Sequence, residues 1–205
     1  MAKHASMHHV VFNAVFTLLL AYFVVFALSF ARCFSAASRI PRIENYEVMR
    51  ILIYGASASE SGETISAVIS VLDTSGNECA VIERSWRGSS LAVDFKSAEF
   101  SEKKIVFPYM IYGRATIAPQ RAFAKAGTML SQYYSEHGQC LLLGAGSTCD
   151  DRRNLHTLLR FALNPAAHFA AGFSRTYTID LSRCATGVYY SITTGTDGTI
   201  ALRRE

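Results

Sequence analysis

From Val10 to Ala31 the chain runs for 22 residues without a formal charge, and no other feature constrains its fold so strongly. As a helix rising 1.5 Å per residue, such a run is about 33 Å long, enough to cross a hydrocarbon core of roughly 30 Å. Asn13, Thr17 and Ser29 interrupt it, and helical Ser and Thr can bond back to their own backbone. So long and uniform an apolar helix is hard to bury inside a chain of 205 residues. The run is therefore expected to lie in lipid, as a transmembrane or signal-anchor helix over residues 10–31 behind a short tail, 1–9.

Retention and cleavage predict different products. The run exceeds the usual apolar region of a signal peptide, which favours a retained anchor, while Ser35-Ala36-Ala37 offers small residues for cleavage near Ala37 and release of a secreted domain. Orientation pits Lys3 and the amino terminus against Arg32, Arg39 and Arg42; a strict count of positive charge would keep the domain inside. An apolar segment starting at residue 10 resembles an export signal, and the expectation is an extracytoplasmic domain, periplasmic or at the cell surface. Cys33 is not expected to carry a lipid, because Arg32 stands where a small residue would be needed.

Charge argues against a nucleic-acid partner. The net charge of +4 comes from Lys3, Arg32, Arg39 and Arg42, since Ile43 to Glu205 holds 16 basic and 16 acidic residues. The surplus flanks the apolar run and faces lipid headgroups in this reading, not a polyanion.

Beyond a linker over 32–48, residues 49–205 are expected to form a single β-rich domain. Glu63 to Phe95 reads as strands separated by Thr74-Ser75-Gly76-Asn77 and Trp86-Arg87-Gly88-Ser89, and Leu91, Val93 and Phe95 alternate with Ala92 and Asp94. Ile105 to Tyr112 is apolar but holds Pro108, which makes it an edge or bulged strand. Residues 113–138 carry little pattern and read as loop. Tyr177, Ile179 and Leu181 alternate, Gly187 breaks the run, and Val188, Tyr190 and Ile192 alternate again before a turn at Gly195-Thr196-Asp197-Gly198, which reads as a β-meander. The string from Asp180 to Ile192 resembles the closing strands of immunoglobulin-like sandwiches. A helix is expected from about Asp150 to Leu163, capped by Ser147 or Thr148, stopped by Asn164-Pro165, and apolar along Leu155, Leu158, Leu159 and Ala162.

Several motifs invite a chemical reading. Ile51-Leu52-Ile53-Tyr54-Gly55 resembles the first strand and glycine of a dinucleotide-binding fold, and CAVIER would be a second strand bringing Glu83 to a ribose. No further glycine follows Gly55 until Gly62, and the β-branched run from Thr64 to Val71 favours a strand over the required helix. The glycines of Leu141 to Thr148 lead into a helix, but Asp150 and Asp151 would repel a phosphate there and no P-loop lysine follows. Cys140 or Cys149 with His156 is the candidate thiol dyad. His137, His156 and His168 lack metal spacing, and Cys79, Cys140, Cys149 and Cys184 are even in number, as disulfides in an exported domain would require.

The expectation is a mainly β domain, a β-sandwich or an antiparallel sheet with one packed α-helix, carried on a single N-terminal membrane helix. Its role is expected to be binding or structural, through the bilayer at 10–31 and an unknown protein or small-molecule partner, with no catalytic, cofactor or metal residues assigned. The alternative is an enzyme with a degenerate nucleotide site at Gly55 or a thiol site at Cys140 or Cys149 with His156.

Overall fold

The computed structural model describes residues 2–59, 62–115, 127–165 and 173–205, with side chains from Val11 onward. The protein is mainly β: antiparallel strands take up 47% of the chain, with a few helices. The first element, α1 (Ala2–Arg39), is one continuous helix. It is long and apolar enough to span a membrane or act as a signal anchor.

Its two parts have different surroundings. Val11 to Val25 are exposed all round, whereas Phe26, Ser29, Phe30, Cys33, Ala36, Ala37 and Ile40 recur every three or four residues on a face that packs into the domain. That spacing is the period of an α-helix with one covered side. The segment expected as a linker over 32–48 is thus helical to Arg39, and its buried face belongs to the core. The helix ends at Lys103, whose ammonium donates to the carbonyls of Ala37 (2.8 Å) and Ile40 (2.5 Å). Those carbonyls have no partner within the helix, and a cation there also complements the helix dipole.

Eleven strands follow among the described residues: β1 (Tyr46–Ser59), β2 (Gly62–Leu72), β3 (Glu78–Arg87), β4 (Ser90–Phe100), β5 (Lys103–Arg114), β6 (Thr128–Met129), β7 (Ser135–Glu136), β8 (Gln139–Cys140), β9 (Ser174–Asp180), β10 (Tyr189–Thr194) and β11 (Ile200–Arg204). The described residues also form a short helix α2 (Ser131–Tyr134) and the longer α3 (Cys149–Leu163). Strands β11-β10-β1-β2-β3 make one sheet, β6-β5-β4-β9 a second, and β7-β8 a small ribbon.

The chain crosses between the large sheets after β3. There Ser89 N–H donates to Arg114 O, and Gly113 comes so close to Arg87 that a Cβ would lie 1.9 Å from its carbonyl oxygen. Any side chain at 113 would force the sheets apart. Pro108 sits where β5 slips register against β4, between the Asp94–Met110 and Phe95–Pro108 pairs, a bulge that spares the ladder the missing N–H. Within the stretch 113–138, expected as loop, residues 116–126 lie outside the described residues; the remainder supplies β6, α2 and β7.

The expected meander at the chain end is corrected. β9 pairs with β4 in the second sheet, whereas β10 pairs with β1 in the first. The immunoglobulin-like string therefore spans a change of sheet. Only β10 and β11 form a hairpin, closed by Gly195 to Gly198.

Helix α3 matches its sequence signals. Thr148 Oγ1 accepts from Asp151 N–H at 3.1 Å while Asp151 Oδ2 accepts from Thr148 N–H at 3.2 Å, a reciprocal capping box. Leu155, Leu158, Leu159, Phe161 and Ala162 are buried in a single core that also holds residues of α1 and both large sheets. Phe30 of α1 and Phe161 of α3 meet at 6.4 Å between ring centroids, and Pro41 and Arg42 border the same groove as Ser147 and Asp151. The two helices run antiparallel.

Candidate functional site

The chemical motifs of the sequence fall into structural roles. Gly55 lies within β1 at a bulge where Tyr54 is the extra residue, and β1 turns back into antiparallel β2. Ile65, Val68 and Ile69 are strand residues of β2, so no helix presents N–H groups at Gly55. Glu83, the expected ribose partner, sits on β3 and accepts a hydrogen bond from the Tyr54 phenol.

The glycine-rich approach to α3 holds a carboxylate of the protein itself. Gly144 has φ +77° and a Cβ there would lie 2.7 Å from Asp73 Oδ2. Asp73 is buried, and its carboxylate accepts from Ser75 N–H (2.8 Å), Asn77 N–H (2.9 Å) and the Asn77 amide (3.2 Å). Thr74 donates from N–H to Leu142 O and from its hydroxyl to Leu143 O. The β2–β3 turn is thereby tied to the 3₁₀ turn Leu141–Leu143, and a buried charge is satisfied by hydrogen bonds.

Of the proposed dyad partners, His156 hydrogen-bonds to Ser135, which pairs with Cys140 across β7 and β8. The polar partner of His156 Nδ1 is Ser135 Oγ at 3.1 Å, and burial, then the Arg160 charge, holds the imidazole below its usual range. Cys140 is enclosed in β8, and burial pushes its thiol up to about 12. Cys149, at the first position of α3, is exposed. Cys79 donates to Leu141 O at 3.6 Å, with its thiol pushed up to about 11 by burial and then by Asp73. Cys79, Cys140, Cys149 and Cys184 are all unpaired. His168 lies outside the described residues, and among those described no three His, Cys, Asp or Glu side chains gather as metal ligands.

A different place gathers polar groups around concave space. The connection from α1 to β1 forms the floor of two adjoining grooves that share Asn45 and Tyr46. One, of about 460 Å³, is bounded by Arg42, Glu44, Thr74, Ser75, Ser147 and Asp151. The other, of about 310 Å³, is bounded by Glu47, Thr193, Thr199 and Arg203.

The floor is held rigidly. Asn45 Oδ1 accepts from Thr196 N–H at 2.8 Å, which fixes the β10–β11 turn, and the half-buried Tyr46 hydrogen-bonds to Thr194, with burial holding its phenol protonated. Glu47 and Glu205 both pair with Arg50, at 2.9 and 3.1 Å. The rims carry both signs of charge together with hydroxyls. Such a surface can offer paired donors and acceptors to a polar chain or a second protein surface.

No family model matches this chain, and no curated protein or solved structure matches it. Its function has to be read from these residues. Asn45, Tyr46 and Arg203 belong to none of the sequence motifs. A signal was present in Arg42-Ile43-Glu44-Asn45-Tyr46, where mixed charge and an amide directly precede a strand, but the rim residues come from three distant stretches, at Thr74–Ser75, Ser147–Asp151 and Thr193–Arg203.

Proposed function

We propose that this chain is a retained, single-pass membrane protein whose two large sheets form a β-sandwich outside the cytoplasm, with a binding or structural role exercised through the groove at Asn45 and Tyr46. The observation that carries this reading is the continuity of α1. Its exposed apolar part and its buried last turns are one helix, so the same element is fit to hold the bilayer and to complete the domain.

That continuity favours retention over release. The bonds around Ala37 lie within a helix, Ala36 and Ala37 are buried, and Lys103 covers the helix end. A signal peptidase needs its substrate extended, so cleavage there would first require unpacking the core. A binding role fits a groove that is open, polar and of mixed sign. The thiol-enzyme alternative draws no support from a Cys140 whose thiol is buried and pushed up to about 12.

The test is fractionation of cells making the full chain with a C-terminal reporter active only outside the cytoplasm. The expected result is an intact, alkali-resistant membrane protein with an active reporter. Recovery of a shortened chain starting near Ser38, or of a soluble intact one, would contradict the retained anchor; an inactive reporter would reverse its orientation.

A further inference from the structure

We infer that the domain does not hang on a stalk but is seated on the bilayer, with Phe173 and the ends of α3 and β4 beside it held in the lipid headgroup layer. This rests on the anchor reading above and adds the orientation and contact surface of the domain.

A hydrocarbon core of roughly 30 Å takes up about 20 helical residues. The uncharged window runs from Val10 to Ala31, with His9 on one side and Arg32 on the other, so a 20-residue span can slide along it by at most two residues, or about 3 Å. Its domain-side boundary therefore falls between Ser29 and Ala31, at the level of Phe30.

Phe30 is already in the domain. Its ring lies 4.7 Å from that of Phe173 and 5.2 Å from that of Phe100, between centroids, and Phe161 joins the cluster 4.9 Å from Phe100. Phe26, one turn deeper, also packs against the core. The headgroup layer adds about 5 to 7 Å beyond the hydrocarbon on each side. A ring 4.7 Å from the boundary residue lies inside that layer. Phe173 is in addition 36% exposed, an apolar surface that water would disfavour and an interface would accept.

A hinge could lift the domain away from this position, and α1 has none. The helix continues unbroken to Arg39, its face from Cys33 to Ile40 is buried, and Lys103 ties down its last carbonyls. The domain's orientation is thus set by the helix that crosses the lipid. Arg32, exposed within a turn past the boundary, is placed to meet lipid phosphates.

The test uses the full chain in vesicles of phosphatidylcholine brominated high on its acyl chains, where the bromines quench nearby tryptophan. Trp86, the sole native tryptophan, is buried and gives the unquenched baseline. Phe23→Trp reports insertion of the helix, Phe173→Trp reports the proposed contact, and Val81→Trp reports an exposed site on β3. Phe23→Trp and Phe173→Trp are expected to lose the emission of their added tryptophan, and Val81→Trp to keep it.

Quenching at 23 but not at 173 overturns the seated domain and leaves the anchor standing. Lack of quenching at 23 removes the anchor and this inference with it. Should Phe173→Trp disturb folding, the unaltered chain is labelled with a phosphatidylcholine bearing a photoreactive headgroup. Labelled peptides are expected to include Phe173, and label confined to residues 11–30 would contradict the proposal.

Discussion

Asp73, Gly144 and Thr148 show how single residues place the segment that the sequence offered as a phosphate loop. Gly144 is required because Asp73 fills the space where a Cβ would point and because φ there is +77°. Gly144→Ala is expected to be destabilising by more than the replacement of Thr148, since strain and a displaced buried carboxylate combine. Thr148→Ala removes the N-cap acceptor of α3 and is expected to cost about 1 kcal/mol in chemical denaturation. An unchanged midpoint for Thr148→Ala would contradict the capping box. Cysteine reactivity gives a second check at this scale: in the folded chain at pH 8, exposed Cys149 is expected to alkylate readily. Cys140, buried and with its thiol pushed up to about 12, is expected to stay unmodified until the chain unfolds.

His156 adds a pH dependence. Its folded value is held below the usual 6.5 by burial and by Arg160, so in the window just below 6.5 the unfolded chain binds the proton more readily. The histidine's contribution is complete above that value and is lost as pH falls through the interval beneath it. Melting temperature is expected to drop on acidification across this range, and His156→Gln to flatten the slope; an unaltered slope would mean that another group governs it.

Among the elements, those whose signals are local were legible in sequence and those set by distant pairing were not. α3 was readable because cap, apolar stripe and terminating Pro165 lie within twenty residues. β4 and the Pro108 bulge were readable from alternation and from the missing proline N–H. The helical spacing of Ile65, Val68 and Ile69 misleads because β2 buries Ile65, Ala67, Ile69 and Val71 instead, at a period of two. β9 and β10 look like neighbours along the chain, but their partners, β4 and β1, are chosen by long-range packing that no local pattern records.

The end of α1 was only half visible. Greasiness hides the change of surroundings at Phe26, yet Phe30, Cys33, Ala37 and Ile40 opposite Arg32, Ser35, Ser38 and Arg39 form an amphipathic pattern in retrospect. Lys103, whose ammonium closes the helix, is 63 positions from Ile40 and carries no sequence signal for that role. Lys103→Met keeps the apolar stem and removes the bonds. It is expected to lower stability by about 1.5 to 3 kcal/mol, the range for hydrogen bonds to a charged donor, measured by denaturant unfolding in detergent.

At the scale of the whole molecule, one helix is fit for two solvents. Its first part is suited to lipid and its last turns pack against α3 and β4, so in the proposed arrangement membrane attachment and folding would be coupled in a way a flexible linker would prevent. Replacing buried Ile40 by Ala is expected to cost about 2 to 5 kcal/mol, the range for truncating a large core side chain. The groove at Asn45 and Tyr46 lies just past the end of that helix, so its position relative to the bilayer is inherited from α1 in the proposed arrangement.

Dependence of the domain on α1 is tested most directly by thermal unfolding of two shortened chains, one starting at Phe26 and one at Arg42. The account predicts a cooperative transition for the first and its loss, or a much lower melting temperature, for the second, which lacks Phe30, Cys33, Ala36, Ala37 and Ile40. Equal melting of the two would show that the domain is complete without the helix and would contradict the coupling of anchor to core.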